Sequence, residues 1–277
     1  MATADGQRIV VGVNASRVAQ HAVLWGTQEA RLQRLDLIIA HVTPSGANRS
    51  PDTALDLEKL LNSSAAAASR REPSVAVGTL LLRGIVSEEL TRLTKSAALL
   101  VVGIDSAKER SAHGALGSVE DRLLVHASCP VVTVSQNPRF GYDRRHRVIA
   151  VWTGGLTSEN VLTRACREAV LSDAALTVLI PQSAAPSGQL GSADHDHLRA
   201  EALVRSAASA EGIRLDVIHP PENHIAFRLS QMSTEADLLV MACKHSDDRW
   251  SIRTGSLAST VMRKAVCPVM FLNSAAS

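Results

Sequence analysis

A chain of 277 residues with 45% apolar residues can bury one or two cores, and with only 3% aromatics those cores must be packed by Val, Leu, Ile and Ala. A formal net charge of +2 with so few stacking rings excludes nucleic acid and an anionic membrane as main partners. No apolar run approaches the roughly 18 residues of a spanning helix, Met1–Arg8 has no signal-peptide core, and Cys129, Cys166, Cys243 and Cys267 form no close-spaced pair, so a reducing cytoplasm is expected, without disulfides or zinc.

In chain order, Ile9–Val13 reads as a short buried strand, followed by a helix with Ala19, Val23, Gly26 and Ala30 on one stripe. Leu37–Val42 is a second strand. Ser50 and Pro51 offer an N-cap and a first-turn proline to a long helix ending near Arg71. Val75–Leu82 is a third strand, and a helix is expected from about Ser87. Leu99–Gly103 is a fourth strand. A further helix then places Leu116, Val119, Leu123 and Ala127 on one face, ahead of a last strand, Pro130–Ser135.

The order then repeats. Gly117-Ser118 recurs as Gly255-Ser256 and Cys129-Pro130-Val131 as Cys267-Pro268-Val269, each 138 residues on. Ala97–Val102 matches Ala236–Met241 at 139, which puts one extra residue of the first copy after that strand. Ile9–Val13 matches Arg147–Val151 at 138. The expected organisation is a domain over 1–135, a linker over 136–146 rich in Pro, Arg and Asn, and a second domain over 147–277. Strands alternating with helices imply an α/β fold: two tandem domains, each an open five-stranded parallel sheet with helices on both faces.

Ligands of such sheets bind beyond the carboxyl ends of the strands. In the first copy this singles out Asn14-Ala15-Ser16, the loop after Gly103, and the helix start at Gly117-Ser118. Glycine lets backbone N–H groups approach a phosphate, and a helix N-terminus supplies unpaired donors. A plain N-cap explains Gly117-Ser118 equally well.

These residues resemble the universal stress protein family, of the tandem two-domain type found in actinobacteria. The resemblance rests on Val11-Gly12-Val13-Asn14-Ala15-Ser16, Leu100-Val101-Val102-Gly103, Leu116-Gly117-Ser118-Val119 and Cys129-Pro130-Val131-Val132, in that order. It implies a Rossmann-like domain of the adenine-nucleotide-binding type. Asn14, Gly103, Gly117, Ser118 and Val119 are then the cofactor-binding positions, with ATP, with or without magnesium, as the ligand. The chain departs from the family pattern at several places. Asn14 stands where the family has Asp, Ser106 replaces a glycine, and Glu120 puts a carboxylate inside the phosphate-facing helix. In the second copy Trp152 takes the Asp position, either filling or lining the old pocket, and Ala242 and His245 replace the two glycines. His245 with Lys244, Arg249 and Arg253 reads as an anion site or as a solvated basic loop.

No Walker A motif, Gly-x-Gly-x-x-Gly fingerprint or Gly-x-Ser-x-Gly elbow is present. His41 reads as a packed strand-end histidine, and His195-Asp196-His197 as a loop without metal-binding spacing. The resemblance further implies pairing of the last strands between the two domains and association of whole chains into a homodimer. The resulting expectation is a cytoplasmic stress-response regulator, not a metabolic enzyme and at most a slow ATPase. Its first domain binds an adenine nucleotide weakly, and it acts through dimerisation. The alternative is a nucleotide-free interaction scaffold of the same fold.

Overall fold

The computed structural model describes residues 8–46, 51–104, 118–135, 146–153, 156–182, 192–243 and 257–273. The chain divides into two units between Tyr142 and Asp143. The first unit runs β1 (Arg8–Gly12), α1 (Arg17–Gln33), β2 (Leu37–Thr43), α2 (Pro51–Arg71), β3 (Val77–Arg83), α3 (Val86–Thr94), β4 (Ala97–Ile104), α4 (Ser118–His126) and β5 (Val131–Ser135). Its sheet is parallel throughout, in the order β3-β2-β1-β4-β5. The second unit runs β6 (Arg147–Val151), α5 (Leu156–Ser172), β7 (Ala175–Leu179), α6 (Ser192–Ala210), β8 (Leu215–Ile218), α7 (Ile225–Met232), β9 (Leu238–Ala242), α8 (Leu257–Lys264) and β10 (Val269–Leu272). Its parallel sheet has the order β8-β7-β6-β9-β10.

The inner strands are buried on both faces, as unbroken aliphatic runs require. Ile9, Val10 and Val11 of β1, Leu99, Leu100 and Val101 of β4, and all of β9 are buried. Helices α1 and α2 pack together and against the sheet, and α3 packs with α4. Gly26 is what allows α1 its close approach: a Cβ there would lie 2.6 Å from Val11 Cγ2. The third strand starts two residues later than its sequence suggests. Val75 is buried, but its N–H donates to the Glu72 carbonyl at 3.1 Å, so the chain is still turning out of α2.

Hydrogen bonds show how faithfully the scaffold is duplicated. Arg34 and Asp173, 139 residues apart, end α1 and α5 in the left-handed conformation, at φ 56° and 51°. The next residues donate alike, Leu35 N–H to Ala30 and Ala174 N–H to Ala169, both at 2.9 Å, which satisfies carbonyls at the helix ends. Buried Glu29 pairs with Gln33, and buried Glu168 with Arg164. Thr94 Oγ1 donates to the Thr91 carbonyl and accepts the Ser128 N–H at 2.9 Å. Ser233 does the same, donating to Ser230 and accepting from Val266 at 3.0 Å. One hydroxyl thus ties the end of α3, or of α7, to the turn before the last strand.

Thr94→Val keeps the shape and removes the acceptor for Ser128. It is expected to cost the first unit about 1–3 kcal/mol, read as a lowered urea midpoint. An unchanged midpoint would show that water replaces the hydroxyl.

All four cysteines are free and buried. Burial pushes the Cys267 thiol up to about 12, with Asp237 adding to the rise, and also raises Cys166, with Glu211 contributing. Native protein at pH 8 should therefore react with an aromatic disulfide reagent at none of its four thiols, and denatured protein at all four. A thiol raised in the fold stabilises fully below its unfolded pKa, so the contribution of Cys267 should fade as pH climbs from about 9 toward 12.

Candidate functional site at the carboxyl ends of the inner strands

In each unit the strand order reverses at the first strand: β1 lies between β2 and β4, and β6 between β7 and β9. Such a switch point opens a crevice at the strands' carboxyl ends. In the first unit Gly12 is in register with Ala40 on one side and Val102 on the other, so Asn14 and Gly103 leave neighbouring strands. The Val13 N–H donates to the Ala40 carbonyl at 2.8 Å. The Val13 carbonyl accepts from His41 Nδ1–H at 2.8 Å. A carbonyl can only accept, so Nδ1 carries the proton, and in the neutral ring Nε2 is left as an acceptor. His41 is therefore pinned at the strand end and half-exposed, with one nitrogen available to a ligand.

Asn14 is exposed, and its Oδ1 accepts the Ser16 N–H at 3.0 Å. Ser16 caps α1, its Oγ accepting from Ala19 N–H at 3.2 Å. Asn14 thus shapes the loop with its oxygen and keeps its amide hydrogens for other partners. This role was legible in the sequence, because Asn two residues before a cap serine is an Asx-turn pattern. Gly103 has a packing role: a Cβ there would lie 2.9 Å from both C and O of Val18 and 3.0 Å from Ala19 N. The end of β4 lies against the first turn of α1, and only glycine fits.

The helix start is a different matter. Gly117 and residues 105–116 lie outside the described residues, as does the side chain of Ser118, which begins α4. Val119 is half-exposed on the first turn. That turn carries Glu120 and Asp121, which occupy the positive end of the helix dipole. Arg122 reaches across to Glu88 of α3 at 3.6 Å.

The second unit corrects one expected correspondence. Trp152 N–H donates to Leu179 and Val13 N–H to Ala40, both at 2.8 Å, and Val148 pairs with Leu176 as Ile9 does with Leu37. The offset at the first strand is therefore 139, not 138. Trp152 corresponds to Val13, and Thr153, not Trp152, corresponds to Asn14. A short aliphatic run slides by one residue without loss of similarity, whereas the hydrogen-bond ladder admits one register. Thr153 N–H donates to Ser158 Oγ at 3.1 Å, closing that loop on α5. In the same register Ile180 stands for His41 and Ala242 for Gly103, and Trp152, Ile180 and Ala242 are all buried. The start of α8 has no acidic residue in its first turn. The units have diverged: where the first has exposed Asn14, half-exposed His41 and an acidic helix start, the second has Thr153, buried Ile180 and a helix start without acidic residues.

His195-Asp196-His197 lies on α6, not in a loop, with side chains outside the described residues. The basic segment 244–253 and Gly255-Ser256 also lie outside them. Among the described residues no group of three or more His, Cys, Asp or Glu could hold a metal ion, and no helix is long and apolar enough to cross a membrane.

The family model described as "Universal stress protein family" matches twice, over residues 6–135 and 145–273. The chain belongs to the universal stress protein family. It is a tandem member, one family match to each unit. Universal stress proteins of Mycobacterium tuberculosis are similar over the whole length. One is 23% identical over 282 residues and another 25% over 289, each match covering 95% of either chain. Among solved structures, a universal stress protein from Archaeoglobus fulgidus superposes with a TM-score of 0.73 at 15% identity, covering 96% of this chain and 98% of that one. A functionally unknown protein from Pseudomonas aeruginosa gives 0.60 at 16% identity, covering 97% and 92%. These likenesses bear on the fold.

Gly103→Ala tests the packing at the crevice. The added methyl meets backbone and not a movable side chain, so a loss of about 1–3 kcal/mol from the first unit is expected in urea unfolding. A midpoint equal to wild type would mean that β4 and α1 shift apart freely.

Proposed function

We propose that this universal stress protein is a cytoplasmic regulator whose first domain binds an adenine nucleotide weakly, ATP included, and which acts through association of whole chains and not through metabolic catalysis. The observation that carries the reading is the asymmetry at the switch points. The first unit offers exposed Asn14 and pinned, half-exposed His41 beside Gly103. At the corresponding places the second unit has half-buried Thr153, buried Ile180 and buried Ala242, with Trp152 in place of Val13. Asn14 amide hydrogens and His41 Nε2 suit the hydroxyls and ring nitrogens of a nucleoside.

The nucleotide-free scaffold stays as a second reading because of Glu120 and Asp121, whose charges oppose a polyphosphate at the helix start. At about 5–6 Å and an effective dielectric of about 20, one such repulsion is roughly 3 kcal/mol before salt and side-chain rotation reduce it.

Gently purified protein, once denatured, should release an adenine nucleotide. In calorimetry at fixed salt, Glu120→Ser should tighten ATP by up to about tenfold and adenosine much less. If Glu120 instead holds a magnesium ion on the phosphates, the substitution weakens ATP only when magnesium is present. No released nucleotide, with no heat from adenosine or ATP, would leave the scaffold reading standing.

A further inference from the structure

A cleft of about 390 Å³ opens in the second unit between the end of β8 and α7, away from the switch point. Its walls include His219, Pro220, Pro221, His224, Phe227 and Arg228. The strand end is fixed from the sheet side. Gln182 N–H donates to the Pro220 carbonyl at 2.9 Å, and Glu222 N–H donates to the Gln182 carbonyl at 3.1 Å. A 3₁₀ turn, Glu222–His224, then leads into α7, with His224 N–H on the Pro221 carbonyl at 3.0 Å. The two prolines and the turn therefore form a braced apolar wall. Across it stands Phe227, 65% exposed, a large apolar surface left in water.

Arg228 brings a positive charge to this lining. Arg228 and His224 have no side-chain hydrogen bond or ion pair among the described residues, and Glu222 makes no ion pair with either. Glu201 of α6, which contacts the lining residue His219, is already engaged. Arg205 holds its carboxyl below the usual range, and His219 adds a contact at 3.4 Å.

The first unit shows that the fold does not require this arrangement. Buried Leu90 and Leu229, and the equivalent hydroxyls of Thr94 and Ser233, fix α3 on α7 at an offset of 139. Phe227 and Arg228 then stand where the first unit has Glu88 and Glu89, and Gln231 where it has Arg92. There the charges satisfy one another, Glu89 with Arg92 and Glu88 with Arg122. The second unit has exchanged a self-paired acidic face for an aromatic platform beside a guanidinium that is unpaired among the described residues.

We infer that this cleft is a binding site for a small aromatic carboxylate. The ring lies between Phe227 and the Pro220-Pro221 wall, and Arg228 pairs with the carboxylate, His224 or His219 donating a further hydrogen bond. The volume is within the range of small-molecule pockets. The site is independent of nucleotide binding in the first domain.

The test uses the full chain, with 2-naphthoate as probe and uncharged 2-naphthamide as its control, in calorimetry at low salt. One naphthoate per chain should bind, about tenfold tighter than the amide. Arg228→Gln should abolish that preference while leaving amide affinity nearly unchanged. Phe227→Ser should weaken both probes alike. Both side chains are exposed, so circular dichroism should show wild-type folding in each variant. Absence of naphthoate binding at millimolar concentration, equal binding of acid and amide, or a preference that survives Arg228→Gln would each overturn the assignment.

Discussion

The close seating of one helix on the sheet governs the first unit. Helix α1 lies near enough to β1 that Gly26 has no room for a methyl group, and its first turn rests on the end of β4, where Gly103 has none either. With both contacts made, the loop from Val13 to Ser16 has one path between strand and helix. The Asn14–Ser16 turn, the Ser16 cap and the His41–Val13 bond are the polar bonds that hold it there. A bulkier residue at either glycine would act on the site through the backbone, without touching a ligand.

Duplication separates what the scaffold needs from what the site needs. The two units agree where backbone groups must be satisfied: left-handed helix ends at Arg34 and Asp173, and bridging hydroxyls at Thr94 and Ser233. A left-handed non-glycine residue costs roughly 1–2 kcal/mol, offset by the helix-end carbonyls it allows to be satisfied. The units disagree at the strand ends and on the outer faces of α3 and α7. Val13, His41 and Gly103 become Trp152, Ile180 and Ala242; Glu88 and Glu89 become Phe227 and Arg228. The helix-face positions are largely exposed and carry little stability, so a duplicated domain can change its chemistry there.

Electrostatics divide the site in the same way. The first turn of α4 holds two carboxylates, which stabilise the helix by complementing its dipole and compete with any anion placed there. In α8 the basic residues Arg263 and Lys264 complement the other end of the helix. A helix N-terminus can satisfy its own charge or a ligand's, and α4 has done the former.

The sequence by itself determined the duplication, the alternation of strand and helix, the family and the aliphatic cores. All of these are carried by local pattern and by motifs recurring at a fixed spacing. It also placed Asn14 and Gly103 at neighbouring strand ends. It could not set the register of the second unit's first strand. Val-Ile-Ala-Val aligns almost equally well one residue either way, and only the ladder from Trp152 to Leu179 chooses. Nor could it show why Gly103 is glycine, since the atoms that exclude a methyl belong to Val18 and Ala19, more than eighty residues away in the chain. The cleft beside Phe227 and Arg228 was invisible for the same reason. Its walls come from a strand end and a helix that meet only when the second unit folds, and no spacing in the sequence records that two exposed residues face the same empty volume.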